Sequence, residues 1–423
     1  MSPKSASNKQ WKFHDERDSL IAEAHARPSQ NITSPAEILH VAFRADDKIY
    51  SRFFDQLDVD ATQVGKRHIS GKIKDCSIKL ERHTEFMSCT IFQDSLGERK
   101  PRELSAILSE TFPMEKVEIL VLLKLDLLHT AREMLKTLSI DQRIYGGRIR
   151  DGIDVRSTFI PDENGFIQFA LHGKNLTSDE MGRRLQRLME METYRTMSLL
   201  GLPQARKVSA ELSQIERELD TLTVSLRENA TSSQEEDEAL FGKLSGLLEQ
   251  TNIIATETRY RFSASRAYFA LFTQRVESLE EEKVGDVQTM SGFLKSRLDP
   301  AMATIESTAK RQETLNDDLS RALVLLRTRI ELNLNKGNQA LLQSMDKRHD
   351  QQLKISRTVE GLSVVAITYY AVGLVSYLLK ALAKQPWMPF SETMLTAVSI
   401  PFVLAFVWIS LKRVRRAWQE RKP

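Results

Sequence analysis

The sequence predicts an α+β membrane protein in three parts: an N-terminal mixed α/β domain, a long helical, coiled-coil-like region and a C-terminal two-helix transmembrane hairpin. Three observations carry this prediction. The 423 residues include only 17 Gly and 12 Pro, well below the roughly 12% of average usage, which favours long helices over turn-rich sandwiches or low-complexity disorder. Apolar periodicity changes near residue 175 from partial alternation to spacings of three and four. Two uncharged runs, 361–379 (GLSVVAITYYAVGLVSYLL) and 393–411 (TMLTAVSIPFVLAFVWISL), approach the ~20 residues that carry a helix across ~30 Å of hydrocarbon.

The first 20 residues contain Lys4, Lys9, Lys12, Asp15, Glu16 and Arg17, without the apolar stretch of a secretory signal. Residues 1–175 form the cytosolic α/β domain. Segments 37–44, 77–94, 116–126 and 153–175 are rich in Val, Ile, Phe and Thr and read as strands. Pro101 and Pro113 bracket a helix, and Asp162 to Gly165 (DENG) reads as a hairpin turn. Residues 178–360 form the long-helix region. Pro203 and Pro300 mark helix starts, the polar run 229–237 (NATSSQEED) separates antiparallel helices at 204–228 and 238–283, and 301–360 is one helix. At 1.5 Å per residue that helix is about 90 Å long. Its apolar residues Leu319, Leu323, Leu326, Ile330 and Leu334 recur at three and four, and Gly337 is its internal weak point. Such a helix needs partners, supplied by the neighbouring helices or by other copies in a homo-oligomer.

The first span, 361–379, and the second, 393–411, are joined by an external loop, 380–392, containing Pro386 and Pro389, and a basic tail follows at 412–423. Lys347, Arg348, Lys354 and Arg357 precede the first span; Lys412, Arg413, Arg415, Arg416, Arg421 and Lys422 follow the second; the loop has only Lys380 and Lys384. Positive charge keeps both termini in the cytoplasm. Trp387, Trp408 and Trp418 lie at or near the span ends, where indoles favour the interface. The lipid bilayer is therefore one partner. A net charge of +3 gives no reason to expect nucleic acid, and Cys76 and Cys89 lack zinc or CxxC spacing, as in a reduced cytosolic domain.

Phosphate-loop, dinucleotide, zincin and serine-hydrolase signatures are absent from the sequence, so no enzyme activity and no cofactor is expected. The candidate metal ligands are Glu23 and His25 in EAHARP and His83 and Glu85 in ERHTEF, because imidazole and carboxylate together bind divalent ions. The preferred reading of His83 is a buried, hydrogen-bonded residue paired with a carboxylate or Arg. On a strand it would share a face with Glu85 and oppose Arg82 and Thr84. The charges of 183–195 (RRLQRLMEMETYR) read as a salt-bridged helix surface, and Met181, Met189, Met191 and Met197 as core filling. In the first span Ser363, Ala366, Tyr370, Gly373 and Tyr377 form a small or hydroxyl-bearing face suited to close helix packing in a hairpin or oligomer. The same face could line a pore. Glu360 stands at the cytosolic membrane edge, where a carboxylate either recruits cations or ends in the headgroup layer.

HARP (25–28), ERHTEF (81–86), METYRTMSLLGLP (191–203), LLRTRIE (325–331) and TVEGLSVVAITYYAVGL (358–374) resemble an uncharacterised family of bacterial membrane-anchored proteins bearing a domain of unknown function. The resemblance covers nearly the whole chain and implies a bacterial inner-membrane protein. The architecture alone is also similar to CorA-type magnesium channels, but their Gly-Met-Asn signature is missing from 378–389, which carries Lys380 and Lys384 instead. The leading expectation is a non-enzymatic, oligomeric membrane-anchored protein whose cytosolic domain binds an unknown partner or signal. The alternative is a CorA-like ion channel with first-span helices around a pore, and the third reading is a cytosolic metal-dependent enzyme.

Overall fold

A computed structural model describes residues 12–18, 20–21, 29–45, 62–64, 68–73, 76–94, 106, 117–138, 142–173, 176–228, 233–383 and 391–419. It has a mixed α+β fold. The chain divides into two units, residues 1–231 with 238–323, and residues 232–237 with 324–423.

The first unit is built on a nine-stranded sheet in the order β2-β3-β4-β5-β1-β6-β9-β8-β7. The strands are β1 (Ala36–Arg44), β2 (Thr62–Val64), β3 (His68–Ile73), β4 (Cys76–Arg82), β5 (Met87–Asp94), β6 (Glu118–Leu127), β7 (Tyr145–Ile149), β8 (Ile153–Pro161) and β9 (Ile167–His172). Their pairings are antiparallel except β6 with β9. Central β1 is buried along almost its whole length, with its side chains dividing between two cores by the two-residue period of a strand. Ile38 and Ala42 join Leu123, Leu125, Phe169 and the first long helix; Leu39, Val41 and Phe43 join Ile78, Leu80, Cys89 and Ile91.

The expected strand over 77–94 is instead a hairpin, β4 and β5, with ERHTEF at its turn. The His83 backbone N–H donates to the Phe86 carbonyl at 2.9 Å and closes that turn, so the side-chain alternation expected of a strand stops there. The DENG turn is where the sequence places it. The Asp162 carboxylate accepts from Asn164 and Phe166 N–H at 2.9 Å each, and Gly165 takes φ +86°, which costs glycine little. The helix expected between Pro101 and Pro113 lies outside the described residues, Ala106 apart.

The helix α1 (Ala131–Thr137) lies between β6 and β7, and among the described residues five helices follow β9: α2 (Ser178–Leu199), α3 (Leu202–Glu228), α4 (Gln234–Leu279), α5 (Met290–Ala383) and α6 (Glu392–Gln419). A capping box at Thr177 and Glu180 starts α2. Pro203 does sit at the start of α3. The polar break is shorter than expected, because Ser233 and Glu236 make reciprocal cap contacts of 3.3 and 2.9 Å and draw Gln234 to Asp237 into the first turn of α4. Pro300 is not a helix start: it lies inside α5, ten residues after Met290. The start is fixed earlier by Glu281, whose carboxylate accepts from the N–H groups of Met290 and Ser291 at 2.8 Å, satisfying donors that a helix leaves unpaired. Glu281 itself belongs to a connector that extends the sheet, Glu282 exchanging backbone hydrogen bonds with Arg148 of β7 at 2.7 and 2.8 Å.

Helices α3, α4 and the first part of α5 bury apolar seams, including Leu212, Ile215, Leu247, Phe262, Ile305, Leu315 and Leu319. Arg311 ties α5 to α3 through Glu216, Ser209 and Ser213 at 2.9–3.0 Å. The charges of 183–195 are ion-paired as expected, with Arg183 exposed beside Asp179, but part of the network is buried and does not lie on the surface. Glu192 is fully buried and pairs with Arg195, while Glu190 pairs with Arg275 of α4 and Arg187 donates to the Ser278 carbonyl. Met181, Met189, Met191 and Met197 are all buried.

In the second unit, Arg329 pairs with Asp237 at 3.4 Å, and every residue of 331–359 is exposed. The C-terminal part of α5 and α6 are two helices long and apolar enough to cross a membrane.

Candidate functional site

The residues that gather most polar chemistry are spread over the sheet face beneath α2. His40 interrupts the apolar β1, and Lys79 and Glu81 interrupt β4; registers set His40 beside Thr90, Thr90 beside Lys79, and Glu81 beside His68. The His40 ring is held at both nitrogens, Nδ1 2.8 Å from Thr90 Oγ1 and Nε2 3.1 Å from Thr193 Oγ1 of α2. Thr193 in turn donates to the Met189 carbonyl. Glu81 lies 3.2 Å from Lys79 Nζ and 3.4 Å from His68 Nδ1.

This arrangement fixes protonation states. Burial pushes His40 down to about 4, outweighing the nearby Glu81, so its imidazole is neutral near pH 7. Burial also pushes the Glu81 carboxyl up, but His68 and Lys79 outweigh that and hold it well below the usual carboxylate range. The opening among these groups, lined by Gln30, His40, Lys79, Glu81, Gln186 and Glu190 among others, has a volume of about 20 Å³, room for about one water molecule. The cluster can hold fixed charges and a single solvent molecule, and it has no space for an organic substrate. On the opposite sheet face Lys124 lies 3.2 Å from Glu37 and 3.7 Å from Asp126, and burial raises both carboxyls against the pull of that lysine.

The sequence-predicted ligands fare differently. Glu23 and His25 lie outside the described residues. His83 is half-buried, stacked on Phe86 at 4.2 Å, with Nε2 3.5 Å from Ser88 Oγ. Glu85 turns to α4, where Arg261 donates to it at 2.9 Å. Burial opposes its ionisation, yet Arg261 and the Tyr260 and Tyr268 hydroxyls hold its carboxyl below the ordinary range. His83 and Glu85 thus face different surroundings: His83 packs within the hairpin, and Glu85 docks its tip on α4 through Arg261. Among the described residues no group of three or more His, Cys, Asp or Glu side chains gathers to hold a metal ion.

Along the apolar end of α5, Ser363, Ala366, Tyr370 and Tyr377 are exposed, and a Cβ built on half-buried Gly373 would meet nothing within 4 Å. The covered side is different: Thr368 is buried, and Val364, Ala371, Val375 and Leu379 are half-buried. The small and hydroxyl-bearing face is therefore not the one covered within a single chain. Glu360 is half-buried at the start of this segment.

The His40 cluster was not found from sequence, since its members come from β1, β3, β4, β5 and α2 and share no motif. The available signal was His40 inside the apolar run of β1, ILHVAF; β4, CSIKLER, carries Lys79, Glu81 and Arg82 among seven residues and offered no such contrast.

The chain belongs to the family described as "Protein of unknown function (DUF3422)", whose model matches residues 12–418. No curated protein matches it. Among solved structures it is similar to one titled "structure of the full-length CmaX protein", at 13% identity over 70% of this chain and 88% of that one. A TM-score of 0.12 is too low for that likeness to bear on fold or function.

Proposed function

We propose that this chain is a non-enzymatic, oligomeric protein of the bacterial inner membrane, anchored by residues 361–379 and 393–411, with both termini cytoplasmic and a cytosolic domain that binds a partner or signal. The observation that carries this reading is the pair of long, uncharged helical segments whose outer flanks are strongly basic and whose connecting loop is not, the charge asymmetry that orients hairpins. Exposed Tyr369, Phe402, Phe406 and Trp408 in those helices add apolar surface of the kind a bilayer covers.

Cysteine labelling tests the topology. Gln385→Cys in intact cells should react with a membrane-impermeant reagent from the external side; reaction only from the cytoplasmic side overturns the two-span arrangement. A pore is the second reading, favoured by the exposed Tyr370 and Tyr377 on the first apolar segment, since hydroxyls seek protein or water rather than lipid. Ion flux in proteoliposomes of the full-length protein decides it: flux above protein-free vesicles supports a pore, and none leaves the anchor.

A further inference from the structure

Helix α5 carries one continuous face through two different environments. At 3.6 residues per turn, positions 18 apart lie five turns apart on the same line of a helix, which places Ile305, Leu323, Leu341, Val359 and Tyr377 in one row. Ile305 is 0% exposed and Leu323 half-buried, whereas Leu341, Val359 and Tyr377 are 61%, 60% and 75% exposed. Neighbours within about 60° of that row on such a helix behave alike. Leu319 and Leu326 are fully buried, Ile330 is half-buried, and Leu334, Met345 and Ile355 are exposed. A seam that is packed in the first part of α5 therefore continues as apolar side chains that are exposed.

We infer that this exposed continuation is the surface on which a second copy of the chain packs, the two α5 helices running parallel. The inference rests on the membrane anchoring proposed above, because two copies inserted with the same topology send their helices from the bilayer in the same direction. Three further observations favour a second copy. Residues 331–359 are exposed on all sides, whereas most helical stability in proteins comes from packing an apolar face. The row passes without a change of face into Ser363, Ala366, Tyr370, Gly373 and Tyr377, so one contact surface would serve both the cytosolic stretch and the first span. The chain's own cover of that span, marked by Thr368, lies on the opposite side of the helix and leaves the row accessible. From Leu341 onward the positions fall into alternating steps of four and three, Leu341, Met345, Arg348, Gln352, Ile355 and Val359, the spacing of a left-handed coiled coil. Arg348 and Gln352 weaken the seam and fix its register, as polar residues at such positions do.

Disulfide crosslinking of the full-length protein in native membranes tests this. Cys76 and Cys89 are buried, so single cysteines can be added to the chain as it stands, with wild type as background. Leu341→Cys and Val359→Cys should each give dimer at least several-fold above Asp350→Cys, which lies half a turn away from the row. Adding Met345→Glu to Val359→Cys should lower its yield several-fold at equal expression. Equal yields at Leu341→Cys and Asp350→Cys, no dimer from either row position, or no effect of Met345→Glu overturns the seam. Dimer formed only when Leu341→Cys and Ile355→Cys chains are mixed means antiparallel packing and also overturns it. Recovery of the wild-type chain in the soluble fraction would instead overturn the anchor, a separate outcome read before any crosslinking.

Discussion

Two stretches of α5 present the same residue types to opposite surroundings. In the first, Ile305, Leu315 and Leu319 are removed from water and the nearby polar groups are matched, Arg311 by Glu216 and two serines. In the second, Leu334, Leu341 and Met345 stand in water, and every residue around them is exposed as well. Sequence periodicity alone does not separate the two stretches, since both return apolar residues at three and four. The difference teaches that periodicity marks a face that needs a partner and is silent on whether that partner belongs to the same chain.

The largest expected effect puts this contrast on one scale. Leu319→Ala removes a fully buried side chain and should lower unfolding stability by about 2–5 kcal/mol. Leu341→Ala, at 61% exposure, should leave the stability of the isolated chain within about 0.5 kcal/mol of wild type. Chemical denaturation of the full chain in mild detergent, at concentrations where it is monomeric, makes the measurement. A large loss at Leu341 under those conditions would break the comparison, because it would mean the row is already packed within one chain.

A second contrast is electrostatic. His40 has its ordinary value near 6.5 when unfolded and about 4 when folded, so the unfolded chain binds more protons between those limits and stability rises with pH through that window. The contribution is complete above about pH 6.5, is lost as pH falls toward 4, and is of the order of 3 kcal/mol. Glu81 extends the same trend to more acid pH: its folded value is lowered, so its contribution is present above the unfolded carboxyl range and is lost as pH falls below it. His40→Gln should flatten the stability profile between pH 7 and 5.

How much of this could be read beforehand depended on whether the signal was local. The DENG turn was legible because Asp162 and Gly165 make their own contacts within five residues. The change to helical spacing near residue 178 and the apolar segments of α5 and α6 were legible from periodicity and composition, whereas the Thr177 and Glu180 capping box that fixes the start of α2 appears only in the structure. Pro300 misled because the cap of α5 comes from Glu281, reached through a connector whose place is set by pairing with β7. The His40 cluster was illegible for a similar reason, since Thr90 and Thr193 lie 50 and 153 positions away. ERHTEF drew attention through its chemistry, but His83 and Glu85 serve the turn and its contact with α4.

Glycine positions sharpen the comparison at a smaller scale. A Cβ at Gly182 would sit 1.7 Å from the Gln30 carbonyl oxygen, so Gly182→Ala must displace backbone and should cost about 1–3 kcal/mol. A Cβ at Gly337 would meet nothing within 4 Å, and Gly337→Ala should raise helix stability by up to about 1 kcal/mol through propensity alone. Thermal unfolding of both variants beside wild type gives the sign directly. A gain at Gly182 or a loss at Gly337 would contradict the division between packed and open stretches.

The smallest expected effect concerns Gly373, where the same open geometry recurs in the first apolar segment. A Cβ added there would meet nothing within 4 Å among the described residues, so Gly373→Leu should disturb the fold of a single copy little. If copies meet along the row that contains Gly373, the added bulk separates backbones and weakens interhelical contacts, including hydrogen bonds worth about 0.6 kcal/mol each on average in membranes. Val365, 70% exposed and off the row, serves as the control, because Val365→Leu adds apolar bulk on another face of the same segment. Crosslinked dimer from Leu341→Cys, compared in the two backgrounds at equal expression, should fall with Gly373→Leu and stay unchanged with Val365→Leu. Equal yields would confine any contact between copies to the cytosolic stretch and remove the first span from it, leaving Tyr370 and Tyr377 to be explained by water or by another protein.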